Sequence, residues 1–152
     1  MAYSDRRSAV ISARILALLG IYSTQRDLGY AVGSDSNFDL GSGTLLQPHV
    51  AYIVKDRVGT LEGETFEGAP DLAVEVLREG ASHRDVLEKA RQYLRCGARM
   101  LWIVFPADQM IEVYKLNGGK GMSVDTVDAE GTLDGGELLP GFTLPVKMIF
   151  PN

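Results

Sequence analysis

The chain has 152 residues, 45% hydrophobic and 23% charged, which suits one soluble core and excludes a disordered or collagen-like polymer. A net charge of −5 and a pI near 5.0 weigh against gripping nucleic acid through bulk positive charge, unless a bound cation inverts the local sign. A single cysteine, Cys96, excludes an intrachain disulfide, and with no apolar run near ~18 residues and no signal-peptide pattern, the expectation is a cytoplasmic protein with no membrane partner.

From the N-terminus, Ser4 or Asp5 starts a helix whose buried stripe is Ile11, Ile15, Leu18 and Leu19, with Gly20 as its end. Residues 30–33 and 37–40 read as short strands separated by the turn Ser34-Asp35-Ser36. A further strand is expected over residues 49–54. Residues 55–69, where Gly59, Gly63 and Gly68 alternate with Glu62, Glu64 and Glu67, read as a solvated loop whose acids would repel phosphate.

The next run, Pro70-Asp71-Leu72-Ala73-Val74-Glu75-Val76-Leu77, alternates as a strand does. Asp71, Ala73, Glu75 and Leu77 share one face, and Leu72, Val74 and Val76 the other. A carboxylate in the middle of such a strand costs several kcal/mol unless it is paired, protonated or bound to a cation, roughly the 2–7 kcal/mol range for uncompensated polar burial. Glu75 is therefore either a site residue, a structural ion-pair partner or a group on an exposed sheet face.

Ser82-His83-Arg84-Asp85 resembles a capping box, after which Val86, Ala90, Tyr93 and Leu94 recur at helical spacing until Gly97. Lys89 lies at the edge of that stripe, where it can curl back toward the sheet or pair with Asp85 one turn away. His83, at the helix start, reads as solvated. Residues 100–105 are apolar on both faces, as a central strand is; residues 110–116 read as its antiparallel neighbour. Gly118-Gly119-Lys120-Gly121 lacks the spacing of a phosphate-binding loop and reads as a hairpin into residues 122–127. The C-terminal Leu138-Leu139-Pro140-Gly141-Phe142-Thr143-Leu144-Pro145 reads as extended before a short apolar end.

The segment PDLAVEVLREGASHRDVLEKARQYLRCGARMLWIVFP, followed by MIEVYKL and LLPGFTLPV, resembles the Uma-type (Uma-two) family of bacterial restriction-endonuclease-like, PD-(D/E)XK nucleases over roughly residues 40–150. The resemblance implies an α/β (α+β mixed-sheet) fold: a restriction-endonuclease-like core with a central mixed β-sheet flanked by helices, in a single domain spanning residues 1–152. It also implies a metal-dependent endonuclease hydrolysing DNA phosphodiester bonds, with Mg or Mn as divalent metal cation. Glu75 would be both metal ligand and catalytic residue, and Lys89 would steady the attacking water or the phosphate. A homodimer would suit cleavage of both strands.

Three departures stand against the family pattern. The first Pro-Asp pair aligns with Pro48-His49, so His49 takes the place of a metal-ligand aspartate; Arg78-Glu79 replaces the usual Ser-Pro; and the N-terminal segment looks shorter than in family members. Leu77 holds the strand position two after Glu75, as the family pattern implies, its lysine lying instead on the following helix, where Lys89 is the candidate. Asp71 cannot substitute, because four strand residues span about 13 Å and ligand distances to a hard cation are only about 2.0–2.6 Å. One carboxylate with an imidazole is a poor magnesium set and a better manganese one, so the expectation is weak manganese-preferring activity or none. His49 is thus a substitute metal ligand or a hydrogen-bonded strand-end residue. The alternative function is a catalytically inactive family member kept as a binding or dimerisation module. Glycine-elbow hydrolase, zinc, dinucleotide and His-Glu-x-x-His motifs are absent from the sequence.

Overall fold

The computed structural model describes residues 5–118 and 121–152. In chain order the elements are α1 (Arg6–Gln25), β1 (Gly29–Gly33), β2 (Asn37–Asp39), β3 (Leu45–Leu46), β4 (Val50–Val54), α2 (Lys55–Val58), β5 (Thr65–Glu67) and β6 (Leu72–Val76). They continue with α3 (His83–Arg95), β7 (Met100–Phe105), β8 (Met110–Leu116), β9 (Met122–Val127), β10 (Thr132–Asp134), β11 (Thr143–Pro145) and a 3-10 turn over Val146–Ile149.

Six strands form one mixed sheet in the order β1-β4-β6-β7-β8-β9. Every neighbouring pair is antiparallel except β6 with β7, which α3 connects as a crossover. Strict alternation then sorts the side chains. Leu72, Val74 and Val76 meet Ile11, Ile15 and Leu19 of α1 on one face, joined by the C-terminal Phe142, Leu144 and Ile149. Ala73 and Leu77 meet Val86, Ala90, Tyr93 and Leu94 of α3 on the other. A smaller sheet, β3-β2-β5, closes the α3 side through Phe38 stacked on Phe66 with ring centroids 5.1 Å apart.

The expected strand boundaries in residues 100–127 hold, as does the buried stripe of α3. The Ser82 side chain accepts from the Asp85 N–H at 3.1 Å, and Gly97, at φ +109°, takes the left-handed turn that ends the helix. Ser82→Ala is expected to cost about 1 kcal/mol in chemical denaturation, against a few tenths for Ser82→Gly.

Four expectations are corrected. Gly20 does not end α1, which runs on to Gln25 because Tyr22 docks there: its hydroxyl donates to the Pro140 carbonyl and its ring meets Phe142 edge-on. Leu18 is only partly buried, and Ser8 and Ser23 complete the stripe instead. Residues 55–69 are not a plain loop, since they hold α2 and β5, the latter recruited by parallel pairing with β2. Of the extended segment expected over residues 138–145, residues 138–141 form turns and only β11 is extended, while the short apolar end coils into the 3-10 turn. Of the proposed hairpin, the Asn117 N–H donates to the Gly121 carbonyl at 2.9 Å, while Gly119 and Lys120, like Ser4, lie outside the described residues.

Candidate active site

The antiparallel register that sets Val50 opposite Val74 and Ala51 opposite Ala73 continues to put His49 opposite Glu75. Directly opposed residues share a sheet face, here the one under α3. Helical spacing then brings Lys89 and Tyr93, one turn apart, down onto that carboxylate. All three sequence-derived site residues converge.

The Glu75 side chain is 4% exposed and fully engaged. The Tyr93 hydroxyl donates to Oε1 at 2.6 Å; on Oε2, the His49 Nδ1 sits at 2.9 Å and the Lys89 Nζ at 3.3 Å. Burial pushes the carboxyl up, but the His49 hydrogen bond, the Lys89 charge and the Tyr93 hydrogen bond together outweigh it and hold Glu75 below the usual carboxylate range. Tyr93 moves the other way: burial, then the Glu75 charge and hydrogen bond, push its phenol above the ordinary tyrosine range. Lys89 makes this contact rather than an ion pair with Asp85, and it is 44% exposed, so one side of the ammonium faces water.

Tyr93 is the site residue that sequence reasoning missed. Its helical spacing does put it in the apolar stripe but says nothing of its phenol oxygen, for which the position one helical turn after Lys89 is the available signal. Asp71 is a structural residue. Its Oδ2 accepts from the Val54 N–H at 2.9 Å and its Oδ1 meets the Arg57 guanidinium at 3.1 Å, one strand-length away from Glu75.

These residues do not fit a divalent cation. Both Glu75 oxygens already receive protein donors, the residue opposite Glu75 offers an imidazole and not a second carboxylate, and among the described residues no group of three or more His, Cys, Asp or Glu side chains is gathered that could hold a metal ion. A hard cation asks for several oxygen ligands, and here an ammonium lies against the only buried carboxylate of the site. A cleft of about 550 Å³ opens beside the site at the ends of β6 and β7, lined by Leu77, Arg78, Phe105 and Asp108 together with Asp5 and Arg7. Glu75, His49 and Lys89 are not part of its lining.

The Uma2 family, described as "Putative restriction endonuclease", matches residues 1–147. Among solved structures, a crystal structure titled as a putative nuclease belonging to DUF820 from Anabaena variabilis superposes with a TM-score of 0.83 at 17% identity, covering 98% of this chain and 83% of that one. At that identity the likeness speaks for the fold, which is restriction-endonuclease-like. No curated protein matches the chain.

Proposed function

Because this chain belongs to the Uma2 restriction-endonuclease family, we propose that it engages the phosphodiester backbone of DNA through Lys89 and His49 while being impaired in metal-dependent hydrolysis. The observation that carries this reading is the saturation of Glu75: Tyr93, His49 and Lys89 supply the donors and the charge that a metal would otherwise supply. Water attacks a phosphodiester usefully when a metal lowers its pKa and clamps the phosphoryl oxygens. Without that ion the site retains a cation and an imidazole, which is enough to contact phosphate and insufficient to activate water in that way.

A second reading, a weak manganese-preferring endonuclease, has one observation in its favour. The 2.9 Å between His49 Nδ1 and Glu75 Oε2 is close to the separation of adjacent ligands on an octahedral ion. That separation is about 3.0 Å for ligand distances of roughly 2.1 Å. Lys89 would have to swing out.

Calorimetric titration with manganese separates the two. The wild-type protein is expected to bind no manganese at millimolar concentration and to leave plasmid DNA intact with magnesium or manganese. The His49→Asp/Lys89→Ala double variant, which restores a second carboxylate and removes the competing ammonium, is expected to bind at least ~10-fold more tightly than wild type. Tight wild-type binding that disappears in both Glu75→Ala and His49→Ala would establish the metal-dependent enzyme instead. DNA association is read separately, by anisotropy of a labelled duplex at two salt concentrations, and Lys89→Met is expected to weaken it and to flatten its salt dependence.

A further inference from the structure

The remaining face of His49 is unaccounted for by any of this. Its Nδ1 is held by Glu75, whereas its Nε2 has no hydrogen-bond partner among the described residues and is not one of the buried unpartnered atoms, so it opens to solvent. The Val76 N–H also lies near Nδ1, at 3.2 Å, and would suit the opposite tautomer. The ionised carboxylate at 2.9 Å decides between them, because a charge-assisted hydrogen bond is roughly twice as strong as a neutral one. In the neutral ring Nδ1 therefore carries the proton and donates it to Oε2, and Nε2 presents a lone pair to solvent. A buried acid that orients an imidazole and fixes its tautomer, with the far nitrogen free, is the arrangement of a general base. The half-exposed ammonium of Lys89 touches the same Glu75 oxygen, so a cation stands beside that base.

We propose that His49, oriented by Glu75 and flanked by Lys89, is a metal-independent general base for phosphodiesters that carry their own nucleophile, namely ribonucleotide linkages with a neighbouring 2′-hydroxyl. This deepens the reading of the site as one that contacts a phosphodiester backbone. An internal hydroxyl removes the need for an activated water, one of the two services a metal renders, and leaves the phosphoryl oxygens to Lys89. In the step, Nε2 takes the 2′-hydroxyl proton as the 2′-oxygen forms its bond to phosphorus, and the bond from phosphorus to the 5′-oxygen breaks. Lys89 stabilises the charge that builds on the non-bridging oxygens. The departing 5′-oxygen takes a proton from solvent and the imidazolium returns its own, leaving a 2′,3′-cyclic phosphate and a free 5′-hydroxyl with no oxidant or co-reactant consumed. His49 and Lys89 are the catalytic residues of this step; Glu75 is a positioning residue.

The test uses the full chain, a ribodinucleotide and its 2′-deoxy counterpart, with a chelator in the buffer and the cyclic phosphate quantified. The expected result is chelator-resistant release of cyclic phosphate from the ribodinucleotide and none from the deoxy compound. His49→Asn keeps a donor toward Glu75 and so keeps the fold, yet is expected to lose roughly 100- to 10,000-fold of the rate, the range of general-base contributions. Glu75→Gln is expected to lower kcat with KM unchanged, a split that a merely structural role would not produce. Release that requires magnesium or manganese, that survives in His49→Asn, or that is absent altogether overturns the proposal. A protein that binds labelled DNA but releases no cyclic phosphate defeats this inference alone, and one that cleaves the ribodinucleotide but binds no DNA defeats the DNA reading alone.

Discussion

Lys89→Met is expected to destabilise the protein at neutral pH by about 2 kcal/mol, below the 3–5 kcal/mol typical of breaking a fully buried ion pair, because the lysine end is 44% exposed and screened. For a chain of this size that is a fall of about 4–8 °C in Tm. Methionine keeps the apolar stem packed along α3, so the loss reports the charge rather than the volume.

The pH dependence follows from the direction of the Glu75 shift. A carboxyl held below its usual range in the folded state contributes stability that is present above the unfolded value, about 4.3 for glutamate, and is lost as pH falls through the lower folded value. In wild type this contribution is at its full value at pH 7. With Lys89 gone, the carboxyl loses one of the influences that hold it down, and burial pulls it upward. The gap between wild type and Lys89→Met should therefore be wide at pH 7 and narrow as pH falls below the unfolded value and on through the lower folded one, until a neutral carboxyl needs no cation. Urea denaturation at pH 7 and along the acid side reads it directly. A gap equal throughout would mean that Lys89 acts through packing and that the Glu75 ion pair is of no energetic consequence.

Arg57→Ala is expected to cost about 3 kcal/mol, because it strips the cation from a carboxylate that is 3% exposed. The same guanidinium also donates to the Ala69 carbonyl at 2.8 Å and to the Glu67 carbonyl at 3.3 Å, so its removal loosens the approach to β6 as well. Arg57→Lys should recover only part of the loss, since an ammonium cannot reproduce a forked set of donors. A double-mutant cycle with Asp71→Asn isolates the pair, with a coupling expected between 0.5 and ~3 kcal/mol. A coupling near zero would mean that the Arg57 pair carries no energy and that Asp71 acts through the Val54 N–H; its distance from Glu75 excludes it as a shared ligand in either case.

Much of this architecture was legible in the chain. The strict alternation of residues 71–77 put Glu75 on one face with Ala73 and Leu77, and the spacing of Val86, Ala90, Tyr93 and Leu94 marked the buried face of α3 residue for residue. Both are local periodicities, and a strand or helix whose apolar face is buried has little freedom to depart from them. Where neighbours in space rather than in sequence decide, the reading failed. Gly20 looks like a stop until Tyr22 finds Phe142, and β5 has no reason to be a strand until β2 offers its edge.

The candidate site divides the same way. The residue types at 49, 75 and 89 are matters of sequence alone. One alternative the chain left open was settled only by folding, whether Lys89 reaches the sheet or pairs with Asp85, and only folding revealed that the Tyr93 phenol reaches Glu75. An antiparallel register sets His49 against Glu75, and one turn of helix lowers both an ammonium and a phenol onto the same carboxylate. Side-chain polarity is written in the residues, whereas the partner that neutralises a buried charge is chosen by tertiary packing, because only there are groups distant in the chain brought within hydrogen-bonding reach.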